Sequence, residues 1–280
     1  MRRQIRTQRS LTPSLTNENR QMSNRSQLND WHHQRSLPSK RERRAIKRWL
    51  GTSILVVMTS IFAIPVNAES FPNPVIRKIE GWEIEIDPEI LTESNRTEGE
   101  LALTALANHL QRITWILPEE RVAELRKLPI RIDWHHDLSN MQYHPSRGWL
   151  ERNGYDPRLE KHVHIPRAKQ LLSRSQWAKH PYVVLHELAH AYHDQVLSFE
   201  NAKIITAFEH VKNLGIYEKV TLYTGDKVRH YGLTNHKEYF AECTEAYLGV
   251  NDFYPFVRAE LKEHDPRMYA LMESIWGKIR

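Results

Sequence analysis

The chain has 280 residues, 40% of them hydrophobic, and a formal net charge of +6, a composition that supports one substantial core and excludes a wholly disordered or fibrous protein. Residues 1–68 hold 13 of the 40 Lys and Arg but only 3 of the 34 Asp and Glu. The body is therefore mildly acidic and, with no basic patch interleaved with aromatics, gives no support to a nucleic-acid partner.

Residues 1–39, rich in Arg, Ser, Asn and Gln, read as a disordered polar extension. Segment 40–68 reads as an export signal. Its positive block (Lys40, Arg41, Arg43, Arg44, Lys47, Arg48) precedes an uncharged run from Trp49 to Ala68, and Val66-Asn67-Ala68 puts small or short residues where a signal peptidase cuts. The run is also long enough to remain as an uncleaved anchor, the one membrane contact the sequence suggests. Either way, residues 69–280 form an exported domain.

In that domain, alternation from Val75 to Ile86 predicts one or two strands turning near Gly81. Leu101 to Ile116 has helical spacing, and Pro118-Glu119-Glu120 starts a second short helix. Ile130 to Trp134 is a strand, His135 to Glu160 an irregular loop, and His162 to Ile165 a short strand stopped by Pro166. The remainder reads as helical: about 177–195, 199–214 and 237–248, with a C-terminal pair around Phe256 and Tyr269. A small sheet followed by helices is an α+β arrangement. The lone cysteine, Cys243, permits no intramolecular disulfide and falls in an apolar helical pattern, the setting of a buried thiol.

The most informative stretch is His186-Glu187-Leu188-Ala189-His190. Residues four apart on a helix have Cβ atoms roughly 6 Å apart, so both imidazoles reach one tetrahedral zinc ion, with Glu187 beside its open position as general base. The uncharged flanks, Val183 to Leu185 and Leu188 to Tyr192, imply that this helix is buried. His193 reads as a solvent-facing or hydrogen-bonded residue rather than a further ligand.

A site of this kind needs a third protein ligand. Glu238, Glu242 and Glu245 lie at i, i+4 and i+7 on one helix face, where three carboxylates repel unless a cation or ring N–H groups offset them. Spacing leaves Glu238 and Glu242 both open as the ligand.

The run Tyr231-Gly232-Leu233-Thr234-Asn235-His236-Lys237-Glu238-Tyr239-Phe240-Ala241-Glu242, downstream of the His-Glu motif, resembles the catalytic domain of anthrax lethal factor and the Pro-Pro endopeptidases. It is also similar to the Mlc-titration-factor peptidases, which share the Glu-aromatic-Phe-Ala core and a later Ser/Thr-Glu like Thr244-Glu245. The resemblance spans roughly residues 180–250. It implies a zincin-like metallopeptidase with Zn²⁺ as cofactor and a peptide or protein as substrate. It further implies Glu238 as the third ligand, Tyr231 as an aid to catalysis that can donate to the developing oxyanion, and Glu242 as a supporting residue on the outer N–H of a zinc-bound imidazole.

Upstream of residue 180 the sequence says little about specificity. His162-Val163-His164-Ile165 is a candidate strand for an extended peptide, with Val163 and His164 as the contacts, or else an ordinary internal strand. Trp149 and Tyr155 either line the cleft or pack locally. The function expected is an exported zinc peptidase; a zinc amide hydrolase acting on cell-wall peptides and an inert zinc-binding or partner-binding module are the alternatives. Glu187 argues against the last, since a structural site needs no general base.

Overall fold

The computed structural model describes residues 71–279. The expected disordered extension (1–39) and the expected export segment or anchor (40–68) lie outside the described residues. Among the described residues no helix is long and apolar enough to cross a membrane.

Strands β1 (Val75–Ile79) and β2 (Trp82–Ile86) form a hairpin whose two-residue turn, Glu80-Gly81, takes φ of +49° and +96°. A primed turn of this kind matches the twist of the two strands. β2 leads into α1 (Arg96–Ile116) and the short α2 (Glu119–Leu125), which return the chain to β3 (Ile130–Ile132). β4 (Gln142–Tyr143), α3 (Arg147–Arg152) and β5 (Val163–Ile165) follow. The sheet order is β1-β2-β3-β5-β4, with β2, β3 and β5 parallel and β1 and β4 antiparallel at the edges.

The register explains both faces of this sheet. Ile84, Ile130 and Val163 form one row and Ile86, Ile132 and Ile165 the next, all buried with Leu106 and Leu110 of α1 in one core. Burying six such side chains stabilises the fold by roughly 1.5–3 kcal/mol each. The alternate residues Glu85, Arg131, His164 and Gln142 fall in a single row on the opposite face. There Arg131 pairs with Asp133 at 2.7 Å, and His164 bonds Asp133 at 2.9 Å and His144 at 3.1 Å.

Two expectations are corrected here. The segment from His135 to Glu160 is not all loop, because it contains β4 and α3. β5 offers no edge to a peptide: Val163 and His164 are buried, and the strand is paired with β3 on one side and β4 on the other. On that side the sheet ends at β4, which is only two residues long and carries no alternating signal.

The helix expected over 177–195 is three pieces: α4 (Arg174–Lys179), α5 (Val183–Tyr192) and a π-turn at His193–Leu197. Pro181 supplies the break, since it has no N–H to donate and keeps the residue before it out of the helical region; His180 sits at φ −142°, ψ 65°. α6 (Ala202–Leu214), a small hairpin of β6 (Val220–Thr221) and β7 (Lys227–Val228), and a 3₁₀ turn at Tyr231–Thr234 follow. α7 (His236–Leu248), α8 (Arg258–His264) and α9 (Pro266–Trp276) complete the chain. Cys243 is buried in α7. The whole is a mixed α+β fold, with a small N-terminal sheet and a mostly helical second half, in which α5 packs against β4, β5 and α7.

A candidate metal centre between α5 and α7

All ten residues of α5 are buried, so its charged side chains face protein rather than water. His186 and His190, one turn apart, bring their Nε2 atoms within 3.1 Å of each other. Glu238 Oε2, from the first turn of α7, lies 3.4 Å from His186 Nε2 and 3.2 Å from His190 Nε2. The three atoms form a nearly equilateral triangle. A tetrahedral ion bound at about 2.0–2.1 Å spaces its ligand atoms roughly 3.3 Å apart, so one zinc-sized ion fits these donors.

Local sequence puts Glu238 in that position. Asn235 caps α7, its Oδ1 accepting the N–H groups of Lys237 at 2.9 Å and Glu238 at 3.0 Å, and this seats Glu238 at the third helical residue. Burial pushes its carboxyl up, but the imidazoles of His190 and His186 prevail and hold it well below the ordinary carboxylate range. The converse holds for His186: burial pushes it down, and its bonds to Glu238 and Glu245 raise it well above an ordinary imidazole. A ring so placed among carboxylates sits where a divalent cation is also favoured.

Glu187 Oε2 accepts the backbone N–H of Tyr143 at 2.8 Å, so the side chain hangs from the edge strand β4. Burial foremost raises its pKa against the opposing pull of His186 and His190, a direction that suits a base working near neutrality. The Tyr143 hydroxyl donates to Asp194 Oδ2 at 2.6 Å, and Lys161 Nζ lies 2.5 Å from the same oxygen. These contacts fasten β4 to the turn that follows α5.

On the outer side of His186 the carboxylate in contact is Glu245, with Oε1 2.6 Å from Nδ1. Glu242, expected there, stands at 3.8 Å, beyond hydrogen-bond reach. Burial and the nearby Asp252 raise the Glu242 carboxyl well above its ordinary range. Glu245 Oε1 also bonds His180 Nε2 at 3.0 Å, with Oε2 2.8 Å from the same nitrogen. Although burial opposes it, the imidazoles of His180 and His186 bring the Glu245 carboxyl down to about 2.

Tyr231 is half-buried and opens the 3₁₀ turn that packs against α7; the turn is capped by His230 Nδ1, which accepts the Gly232 N–H at 2.9 Å. His193 is neither solvent-facing nor hydrogen-bonded. Its ring is enclosed by Phe199, Phe240 and His236, neither nitrogen has a hydrogen-bond partner, and burial lowers its pKa to about 3. Trp149 packs against Tyr155 with ring centroids 5.5 Å apart, on the segment that also carries His144.

A second group, Asp133, His136 and His164, also brings three donor side chains together. Its chemistry suits hydrogen bonding rather than a metal: Asp133 is already paired with Arg131, and His136 Nδ1 accepts the Leu138 N–H at 3.1 Å, which places that neutral ring's proton on Nε2.

Sequence reasoning missed Tyr143, Asp194 and His180, and gave Glu245 no ligand-supporting role. Glu245 did carry a signal, since it shares the helix face of Glu238. The others are joined to the site only by tertiary contacts.

No protein-family model and no curated protein matches the chain. Among solved structures it is similar to the Pro-Pro endopeptidase PPEP-2 from Paenibacillus alvei, at 19% identity over 71% of this chain and 99% of that one, with a TM-score of 0.38.

Proposed function

We propose that this chain is an exported zinc-dependent peptidase of the zincin type, with His186, His190 and Glu238 holding the ion and Glu187 as general base. The observation that carries this reading is the triangle of two imidazole nitrogens and one carboxylate oxygen, at 3.1, 3.2 and 3.4 Å, buried beside a carboxylate of raised pKa. Two nitrogens and one oxygen are the donor chemistry of a catalytic zinc site, whereas calcium and magnesium sites are built from oxygen.

A zinc ion held by His186, His190 and Glu238 would supply Lewis acidity and lower the pKa of the attacking water toward about 7. Glu187 takes the proton. Its Oε2 is engaged by the Tyr143 N–H, which leaves Oε1 to receive the proton and pass it to the leaving amine. Tyr231, from the turn ahead of α7, donates a hydrogen bond to the carbonyl oxygen of the scissile peptide as it gains negative charge. A peptide or protein is the substrate, and the sheet strand next to Glu187 is the edge strand β4. The basic and uncharged N-terminal segments support export, with cleavage after Ala68.

The reading is tested by incubating the purified 69–280 fragment with a peptide library. Hydrolysis that a chelator abolishes and zinc restores is expected; hydrolysis indifferent to the chelator, or none with zinc present, overturns it. Sequencing the product made in a bacterial host should give Glu69 as the first residue.

A further inference from the structure

We propose that Glu245, held in place by His180, is the positioning residue that sets the orientation and tautomer of His186. This rests on the zinc reading above.

Glu238 and Glu245 are seven residues apart on α7, two turns along one face and about 10 Å in rise. The His186 ring lies between them, with Nε2 3.4 Å from Glu238 Oε2 and Nδ1 2.6 Å from Glu245 Oε1. The residue between them, Glu242, does not reach the ring. An ionised carboxylate can only accept a hydrogen bond, so the 2.6 Å contact requires a proton on Nδ1. With the proton on Nδ1, the neutral ring that an ion would bind keeps its lone pair on Nε2, which faces His190 Nε2 and Glu238 Oε2 where the ion is proposed. The opposite tautomer would set an Nδ1 lone pair against a carboxylate oxygen and direct a proton at the metal position.

Glu245 is itself completely buried, and a lone carboxylate there would be costly. His180 provides the compensation, its Nε2 lying 2.8 Å from Oε2 and 3.0 Å from Oε1. The break at Pro181 puts His180 in reach, because a continuous helix through residue 180 would carry its ring elsewhere. The connection thus runs from the α4–α5 break through α7 to the metal ligand on α5.

The test measures zinc affinity of the full chain by competition with a chromophoric chelator, together with melting of the zinc-free protein. Glu245→Leu should weaken zinc binding about 10–100-fold, the range for an outer partner of a ligating histidine. Glu245→Gln keeps an acceptor oxygen for Nδ1–H and should fall between the wild type and Glu245→Leu. His180→Phe, which leaves α7 untouched, should weaken binding several-fold, and Glu242→Gln should stay within about twofold.

Wild-type affinity in Glu245→Leu overturns the proposal, as does a loss in Glu242→Gln equal to that in Glu245→Leu. Should Glu245→Leu fail to fold, unchanged affinity in both Glu245→Gln and His180→Phe overturns it instead. His190→Ala separates the two readings. If the wild type binds one zinc that His190→Ala loses while the Glu245 variants keep theirs, only the role of Glu245 is refuted; if the wild type binds none, the zinc reading falls and this proposal with it.

Discussion

The backbone N–H of Tyr143 donates to Glu187 Oε2 at 2.8 Å, joining the edge strand of the sheet to the carboxylate in the middle of α5. This amide points away from β5, since Tyr143 alternates with His144, whose N–H pairs with His162 O at 3.0 Å. The outward edge of β4 therefore holds Glu187, and one of its two oxygens stays available.

From this contact follows the behaviour of Glu187→Gln. An amide oxygen still accepts the Tyr143 N–H, so the side chain keeps its place and the three proposed ligands are untouched. Zinc content should remain one per chain while turnover falls at least about a thousandfold, because the amide cannot take a proton. Metal analysis and kinetics on the same preparation check this; near-normal hydrolysis would remove Glu187 from the mechanism.

Asn235→Ala tests how the third ligand is seated. Removing the cap leaves the N–H groups of Lys237 and Glu238 without their acceptor, a loss of about 1 kcal/mol of stability. Glu238 lies in the turn that loosens, so zinc affinity should fall as well. Asn235→Asp retains an acceptor and should restore both. Urea unfolding and chelator competition measure the two effects, and a stability loss with unchanged affinity would show that the cap does not position Glu238.

The parts of this molecule legible in the sequence are those that repeat along one element. His186 and His190, and likewise Glu238 and Glu245, occupy one helix face by spacing alone, and the uncharged flanks of the first pair announced a buried helix. What was not legible depends on chain returns. β4 is two residues long and is defined by its partner β5 rather than by a pattern of its own. His180 acquires its role from a proline one residue later, which turns one expected helix into two. Glu242 and Glu245 are the same residue type and both buried, and only the depth of the His186 ring between the helices decides which of them it meets.

Acid should unfold the protein earlier than its carboxylates alone require. His109 stacks on Trp177 at 4.1 Å and is buried, and burial lowers its pKa to about 4. His144 and His230 are lowered by burial to about 3. In each case the folded pKa lies below the unfolded value of about 6.5. The stability from keeping these rings neutral is complete above pH 6.5 and is lost as pH falls from there through about 4 and then 3. For His109 the loss between pH 7 and pH 5 is about 2 kcal/mol. Urea midpoints of the zinc-free protein at pH 7, 6 and 5 also sum groups of raised pKa, Glu187, Glu242 and His186 among them, that act in the opposite sense, so the readout is a difference: His109→Phe should lose less stability toward acid than the wild type. An equal loss in wild type and His109→Phe would contradict the burial of a neutral His109.

Glu238 and Tyr231 are proposed to act at different stages, and one pair of variants distinguishes them. Glu238 Oε2 is a corner of the donor triangle, within 3.4 Å of both imidazole nitrogens, so Glu238→Ala should lose most zinc affinity and activity with it. Tyr231 stands in the turn before α7, outside that triangle, and is proposed to contact only the charge that develops on the substrate. Tyr231→Phe should therefore retain one zinc per chain and leave KM little changed, while kcat falls by the roughly 100- to 1000-fold that removal of an oxyanion donor causes. Zinc content, kcat and KM measured side by side decide both assignments. If Tyr231→Phe turns over at the wild-type rate, the phenol has no part in the reaction; if Glu238→Ala keeps its zinc, the third ligand lies elsewhere on α7.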